Sequence, residues 1–221
     1  DKLFNLRAEM CRLIESAGIA VKYHHHEVGG PGQSEIEVEL MPMEKAADAV
    51  MLVKYITRMV ARDAGRAVTY MPKPLYNEAG SGMHFHQLLV RDGKSLFYDK
   101  DGHGGLSKMA RQYIGGVLKH GPALLALTNP STNSFKRLVP GFEAPVTLCY
   151  GIANRSAAVR VPKYVNNDVE QRMEFRPPDG TCNAYLALSA QLMAGIDGIL
   201  NDYDADELGY GPVEGNIFDL P

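Results

Sequence analysis

The chain has 221 residues, 45% hydrophobic and 22% charged, the make-up of an ordinary globular domain able to bury a sizeable core. A formal net charge of −3 argues against bulk nucleic-acid binding, and no run of about 18 apolar residues is present to span a membrane. Cys11, Cys149 and Cys182 form no C-x-x-C pair, which fits reduced thiols in a cytosol better than a disulfide framework. Asp1-Lys2-Leu3-Phe4 has no signal-peptide layout and no initiator Met, so residues upstream are expected.

In chain order, Leu3, Leu6, Met10, Leu13 and Ile14 recur at helical spacing, with Gly18 placed as a C-terminal cap, and predict a helix over 3–17. A strand follows over 19–25. Glu35 to Leu40 alternates strictly and predicts a strand with one acidic face. Pro42 can open a second helix that buries Ala46, Val50, Val53, Ile56 and Val60. A glycine-containing loop over 78–82 leads into a strand over 83–90. The Asp, Gly and Lys of 91–105 predict a hairpin or exposed loop. One helix is expected over 106–127 and an ordered, proline-containing loop over 130–145. Strands are expected over 146–152, 156–161 and 170–176, a helix over 183–201, and a loop from 203 onward. Hairpin-like strands beside separate long helices favour an α+β class.

Three constellations can carry chemistry. In His24-His25-His26-Glu27, alternation puts His25 and Glu27 on one face, and Glu35 follows after a Gly/Pro turn. Such carboxylates suit a hard divalent cation, although a solvated acidic strand gives the same pattern. In Ala79-Gly80-Ser81-Gly82-Met83-His84-Phe85-His86, glycines permit close backbone approach to a ligand, and the two histidines share a face. A tight turn before an edge strand is the plain alternative, and no Walker A pattern is present. Arg137, Arg155, Arg160, Arg172 and Arg176 form the third set. Arg172, Glu174 and Arg176 alternate with Met173 and Phe175, as phosphate or carboxylate clamps do, and as an exposed sheet face also does.

Together these segments resemble the type I (bacterial) glutamine synthetase family. The resemblance runs in order through His25-His26-Glu27-Val28 to Glu35, Lys73-Pro74 to His84, Asn129-Pro130 to Pro145, Asn154-Arg155-Ser156-Ala157, and Arg172-x-Glu174-x-Arg176. It implies the family's catalytic-domain fold, a largely antiparallel sheet with flanking helices around a guanido-kinase-like core. It implies Glu27 and Glu35 as ligands of one divalent cation, Mg²⁺ or Mn²⁺, and His84 and Glu174 as ligands of another. Gly80, Arg137 and Arg176 would hold glutamate. Glu143 would line the ammonium site and accept a proton, with Arg155 as the second catalytic residue. His25, His86, Arg155, Arg160 and Arg172 would meet the phosphates of ATP. The implied reaction is ATP-dependent ligation of ammonia to glutamate through an acyl phosphate, in a cytoplasmic double-ring oligomer.

Departures qualify the match. Leu88 stands where the family usually has Ser, and Ala79 where many members have Asn. Phe218 stands where some members carry an adenylylated tyrosine, so no adenylylation is expected there. The family's N-terminal β-grasp domain and two upstream metal glutamates fall outside these residues. The reading is therefore one partial catalytic domain over 1–221, truncated at both ends, that binds nucleotide weakly and does not turn over by itself. A γ-glutamyl-amine synthetase and a non-catalytic structural relative are the alternatives.

Overall fold

The structure is a computed structural model that describes residues 1–30 and 32–217, so the expectation at Phe218 lies outside the described residues. The first half forms a small lobe. Helix α1 (Phe4–Ser16) and helix α2 (Met43–Asp63) pack against a hairpin of β1 (Val21–His26) and β2 (Ser34–Val38). Alternation on β2 sends Ile36 and Val38 inward to Ile14, Ile19 and Ala49, and leaves Glu35 and Glu37 on the opposite face. A helix stripe and a strand face that cannot be buried alone thus cover one another.

The second half is built on a four-stranded sheet in the order β3-β8-β7-β6. Its strands are β3 (Phe85–Gln87), β6 (Thr147–Ile152), β7 (Ala157–Val161) and β8 (Met173–Phe175). The β3–β8 and β8–β7 pairs are antiparallel, and β7–β6 is parallel although only residues 153–156 join the two strands. A separate hairpin of β4 (Val90–Arg91) and β5 (Lys94–Ser95) precedes a single 3-10 turn at His103–Gly105. The main core lies under one sheet face, where Val159, Val161, Met173 and Phe175 meet Tyr113, Ile114, Val117 and Leu118 of α3 (Lys108–Lys119). Helix α6 (Ala184–Leu200) packs on α3, and Ala184, Ala187 and Leu188 join Ala47 of α2 and Phe85 of β3 to connect the two halves. All three cysteines are buried and free. Among the described residues no helix is long and apolar enough to cross a membrane.

Several expected elements change. The helix over 106–127 is two helices, α3 and α4 (Gly121–Thr128), which meet at His120. Pro122 lacks an N–H and sits in the first turn of α4, where none is needed. The loop over 130–145 contains α5 (Thr132–Arg137), capped by a reciprocal Ser131–Ser134 box. The strand over 83–90 breaks in two: Phe85–Gln87 pairs with β8, Val90 starts the β4–β5 hairpin, and Met83 donates its N–H to the Pro178 carbonyl. The strand over 170–176 likewise narrows to Met173–Phe175.

Helices α3 and α6 approach closely because Gly116 and Gly198 face each other. A Cβ on Gly198 would stand 2.2 Å from the Gln112 carbonyl oxygen and 2.7 Å from Gly116 Cα. Both neighbours are backbone and cannot swing away. Gly198→Ala should therefore destabilise the chain by about 1–3 kcal/mol despite alanine's better helix propensity. Thermal melting checks this at about 2–4 °C per kcal/mol, and an unchanged or higher Tm contradicts the contact.

Candidate active site

Register builds the centre of the site. Across the sheet, His86 of β3 lies opposite Glu174 of β8, and Glu174 lies opposite Arg160 of β7. These side chains occupy the face away from the main core. That face is not exposed. Arg172, Glu174 and Arg176 are 3%, 0% and 4% accessible, so the alternating charges of β8 are as buried as Met173 and Phe175 between them.

A carboxylate this deep must be compensated. Glu174 Oε1 accepts from Arg176 Nη1 at 3.0 Å, and His84 Nδ1 lies 2.9 Å from the same oxygen. Arg160 Nε abuts Oε2 as an ion pair but not in hydrogen-bond alignment, so Oε2 is buried without a hydrogen-bond partner. Burial pushes the Glu174 carboxyl up, but the His84 contact and the charges of Arg176 and Arg160 outweigh it and hold the group well below the carboxylate range. Burial, opposed by Glu174, lowers His84 to about 4. A neutral His84 keeps a lone pair on one of its ring nitrogens. The orphaned Oε2 and this lone pair are donors of the kind a divalent cation takes.

The β1–β2 hairpin presents a second donor set. His25 pairs opposite Glu35, and Glu27 follows at the strand end. Ligand atoms of His25, Glu27 and Glu35 all lie within 4.8 Å of one another. Burial pushes the Glu35 carboxyl up, His25 opposes that, and the charges of Glu27, Glu37 and Glu174 add to it. The two sets therefore face one region. Of the phosphate partners expected from the sequence, His25 lies beside the acidic pair, 3.7 Å from Glu27 Oε1 and 3.7 Å from Glu35 Oε1. His86 meets Arg172 at 3.4 Å, and Arg172 also lies over the Tyr164 ring, 5.7 Å from its centroid. Burial holds His86 below its usual range.

The glycine loop sits on an arginine. A Cβ on Gly80 would meet Arg137 Cγ at 2.7 Å, and one on Gly82 would meet Arg137 Nη2 at 2.3 Å. Only glycine lets the loop lie this close to Arg137. The guanidinium donates to the carbonyls of Arg176, Pro177 and Pro178. Arg137, expected to grip a glutamate carboxylate, thus spends these N–H groups on the wall of the site. Burial, with the charge of Arg176, lowers it to about 10. Asn129 Nδ2 donates to the same Pro177 carbonyl at 2.7 Å.

Gln33 was not singled out by sequence, and it ties the hairpin to this loop. Its amide oxygen accepts from Gly29 N–H, and its Nε2 donates to the Gly80 carbonyl at 2.8 Å and to Ser81 Oγ at 3.2 Å. Only its place inside a motif hinted at a role. Glu143 has a left-handed backbone (φ 56°), costly for a side-chain residue. Its carbonyl accepts from Arg176 Nη2, and its carboxylate lies 3.5 Å from Arg155 Nη1. Both side chains line a cleft of about 450 Å³ with Asn154 and Ser156.

The family model described as glutamine synthetase, catalytic domain, matches residues 1–221. The chain belongs to this family. A glutamine synthetase of Frankia alni is 52% identical over 221 residues, covering 100% of this chain and 46% of that protein. One of Mycolicibacterium smegmatis is 50% identical over 221 residues, covering 45% of its own length. The cryoEM structure of Plasmodium falciparum glutamine synthetase matches with a TM-score of 0.85 at 35% identity, over 91% of this chain and 39% of that one. The chain spans about half the length of the curated relatives it matches. Family membership supports the α+β architecture.

Two outcomes follow from the Glu174 cluster. Glu174→Ala leaves Arg176 buried and unpaired beside Arg160 and should cost about 3–5 kcal/mol in urea unfolding. The folded-state pKa of His84 is depressed, so the unfolded chain binds more protons between pH 6.5 and about 4. Glu174, also depressed, extends the loss below the ordinary carboxylate range. In the presence of a chelator, stability should fall as pH drops through this window. His84→Gln should flatten the upper part, and an unaltered pH profile in that variant contradicts the assignment.

Proposed function

We propose that the polypeptide carrying these residues is a glutamate–ammonia ligase that forms glutamine from glutamate, ammonia and ATP through a γ-glutamyl phosphate. One observation carries the reading. An acidic set, Glu27, Glu35 and Glu174, faces the same region as a cationic set, Arg160, Arg172 and Arg176. Phosphoryl transfer requires that combination, because charge on the moving group must be neutralised from several sides.

In this mechanism the γ-carboxylate oxygen of glutamate attacks the γ-phosphorus of ATP, and ADP leaves. Ammonia then attacks the acyl carbon, and phosphate leaves with the acyl C–O bond electrons. Gly80, Arg176 and the wall braced by Arg137 position glutamate. Glu143 attracts ammonium and accepts its proton, which generates the uncharged nucleophile. Arg155, 3.5 Å from Glu143 and exposed in the cleft, meets the phosphoryl oxygens as charge develops. His86, Arg160 and Arg172 orient the remaining phosphates. Glu27 with Glu35, and His84 with Glu174, would hold two divalent cations, Mg²⁺ or Mn²⁺, which neutralise phosphate charge when bound. The enzyme would act in the cytoplasm as a homo-oligomeric double ring, without nucleic-acid or membrane partners.

Isotope transfer tests the chemistry. With ¹⁸O in the γ-carboxylate of glutamate, label should appear in inorganic phosphate during ammonium-dependent turnover. Glu143→Gln should lower turnover about 10²–10⁴-fold. Amide formation without label in phosphate, or use of an organic amine with ammonium refused, rejects the proposal.

A further inference from the structure

Lys73 is held more firmly than a solvated lysine needs to be. Its N–H donates to Asn133 Oδ1 at 2.7 Å, and Asn133 Nδ2 donates back to its carbonyl at 3.1 Å, which fastens residue 73 to α5. The carbonyl before it, that of Pro72, accepts from Ser81 N–H in the glycine loop at 2.7 Å. The side chain then finds two partners. Its ammonium donates to the Glu78 carbonyl at the start of that loop. The same nitrogen stands 3.7 Å from the centroid of the Phe142 ring. A cation within about 6 Å of a ring centroid is attracted by the ring quadrupole, more strongly where water is kept away. Both side chains are half-buried.

Phe142 directly precedes Glu143, the exposed carboxylate of the cleft. The backbone turns sharply here, with Gly141 at φ 87° and Glu143 at φ 56°. A side-chain residue keeps such a conformation only when its surroundings impose it. Two contacts on Glu143 itself contribute. Arg176 Nη2 donates to its carbonyl at 3.2 Å, and Arg155 Nη1 lies 3.5 Å from its carboxylate. Lys73 adds a third hold through the neighbouring ring.

We propose that Lys73 is a positioning residue for Glu143. Its ammonium clamps the Phe142 ring, and the clamped ring places the adjoining carboxylate over the cleft. The proposal rests on the ligase reading in taking Glu143 as the acceptor of the ammonium proton. Because the same Lys73 nitrogen is bonded to the Glu78 carbonyl, the clamp joins the glycine loop to the segment that meets ammonium. A proton acceptor displaced by even a small distance transfers protons poorly, since the step needs hydrogen-bond reach. Loss of the clamp should therefore act on the ammonium step and spare nucleotide binding.

Steady-state kinetics on the whole polypeptide carrying these residues tests this. Lys73→Met and Phe142→Leu should each lower kcat/KM for ammonium by about tenfold, the scale of one cation–π contact, with the KM for ATP unchanged. Phe142→Tyr keeps the ring face and should keep wild-type kinetics. The double variant of Lys73→Met with Phe142→Leu should lose no more than either alone, because both remove one contact. In NMR of the 221-residue chain, the Lys73 methylene protons nearest the ammonium should resonate upfield of an ordinary lysine and return to the ordinary position in Phe142→Leu. Additive losses, a KM for ATP that rises in step, or no upfield shift in the wild type overturn the proposal. If Glu143→Gln lowers turnover while Lys73→Met leaves ammonium kinetics intact, the clamp alone is wrong and the ligase reading stands. If Glu143→Gln turns over fully, the role given to Glu143 falls and the clamp proposal with it. The wild-type shift needs no substitution, so a variant that misfolds does not remove the test.

Discussion

A fully buried carboxylate at the centre of a sheet is the constraint on which the rest of this structure depends. Glu174 takes no direct support from solvent. Its charge persists because His84, Arg160 and Arg176 converge on it from three segments. Removing such a group from water costs several kcal/mol, and only correct placement of every partner offsets that cost. The strand register is thereby tied to electrostatics. A one-residue slip of β8 would carry Glu174 into the apolar core and Met173 or Phe175 into the charged face. The same compensation leaves Oε2 without a hydrogen bond, so the cluster is stable and also has donor capacity in reserve.

The second constraint is mechanical. Three chain segments distant in sequence meet around Arg137 and Gln33. Arg137 lies beneath the glycine loop and holds the carbonyls of Arg176, Pro177 and Pro178. Gln33 joins that loop to the turn of the acidic hairpin. The two lobes pack through small side chains such as Ala47, Ala184 and Ala187, which define their spacing but provide little directional restraint. Direction comes from these amide and guanidinium contacts. Rigid placement of donor groups before a ligand arrives is what electrostatic catalysis requires.

The contrast with the cleft end is physical. Glu143 and Arg155 have 58% and 67% of their side chains accessible, with one long ion pair between them. A pair so exposed contributes little to stability and rearranges easily. The left-handed backbone at Glu143, together with the Arg176 contact to its carbonyl, sets where the carboxylate emerges. In the proposed reaction, the groups that would exchange protons or meet a mobile substrate sit on this adjustable rim, and those that would hold fixed charge sit in the sheet.

Much of this was legible from sequence. Alternation identified β2 and β8, and helical spacing identified α1, α2 and α6. The ordered motifs named the charged residues. These are local properties, because period 2 or 3.6 states which side chains share a face. Tertiary structure decided what each face meets. Alternation of Arg172, Glu174 and Arg176 reads equally as an exposed face, and only pairing with β3 and β7 buries it. Nothing local says that Arg137 donates to backbone carbonyls of a segment some 40 residues later, that a six-residue helix carries it, or that His25 turns to Glu35. Side-chain type and spacing therefore fixed the chemical inventory, and long-range register determined which groups are paired, buried or left with a free lone pair.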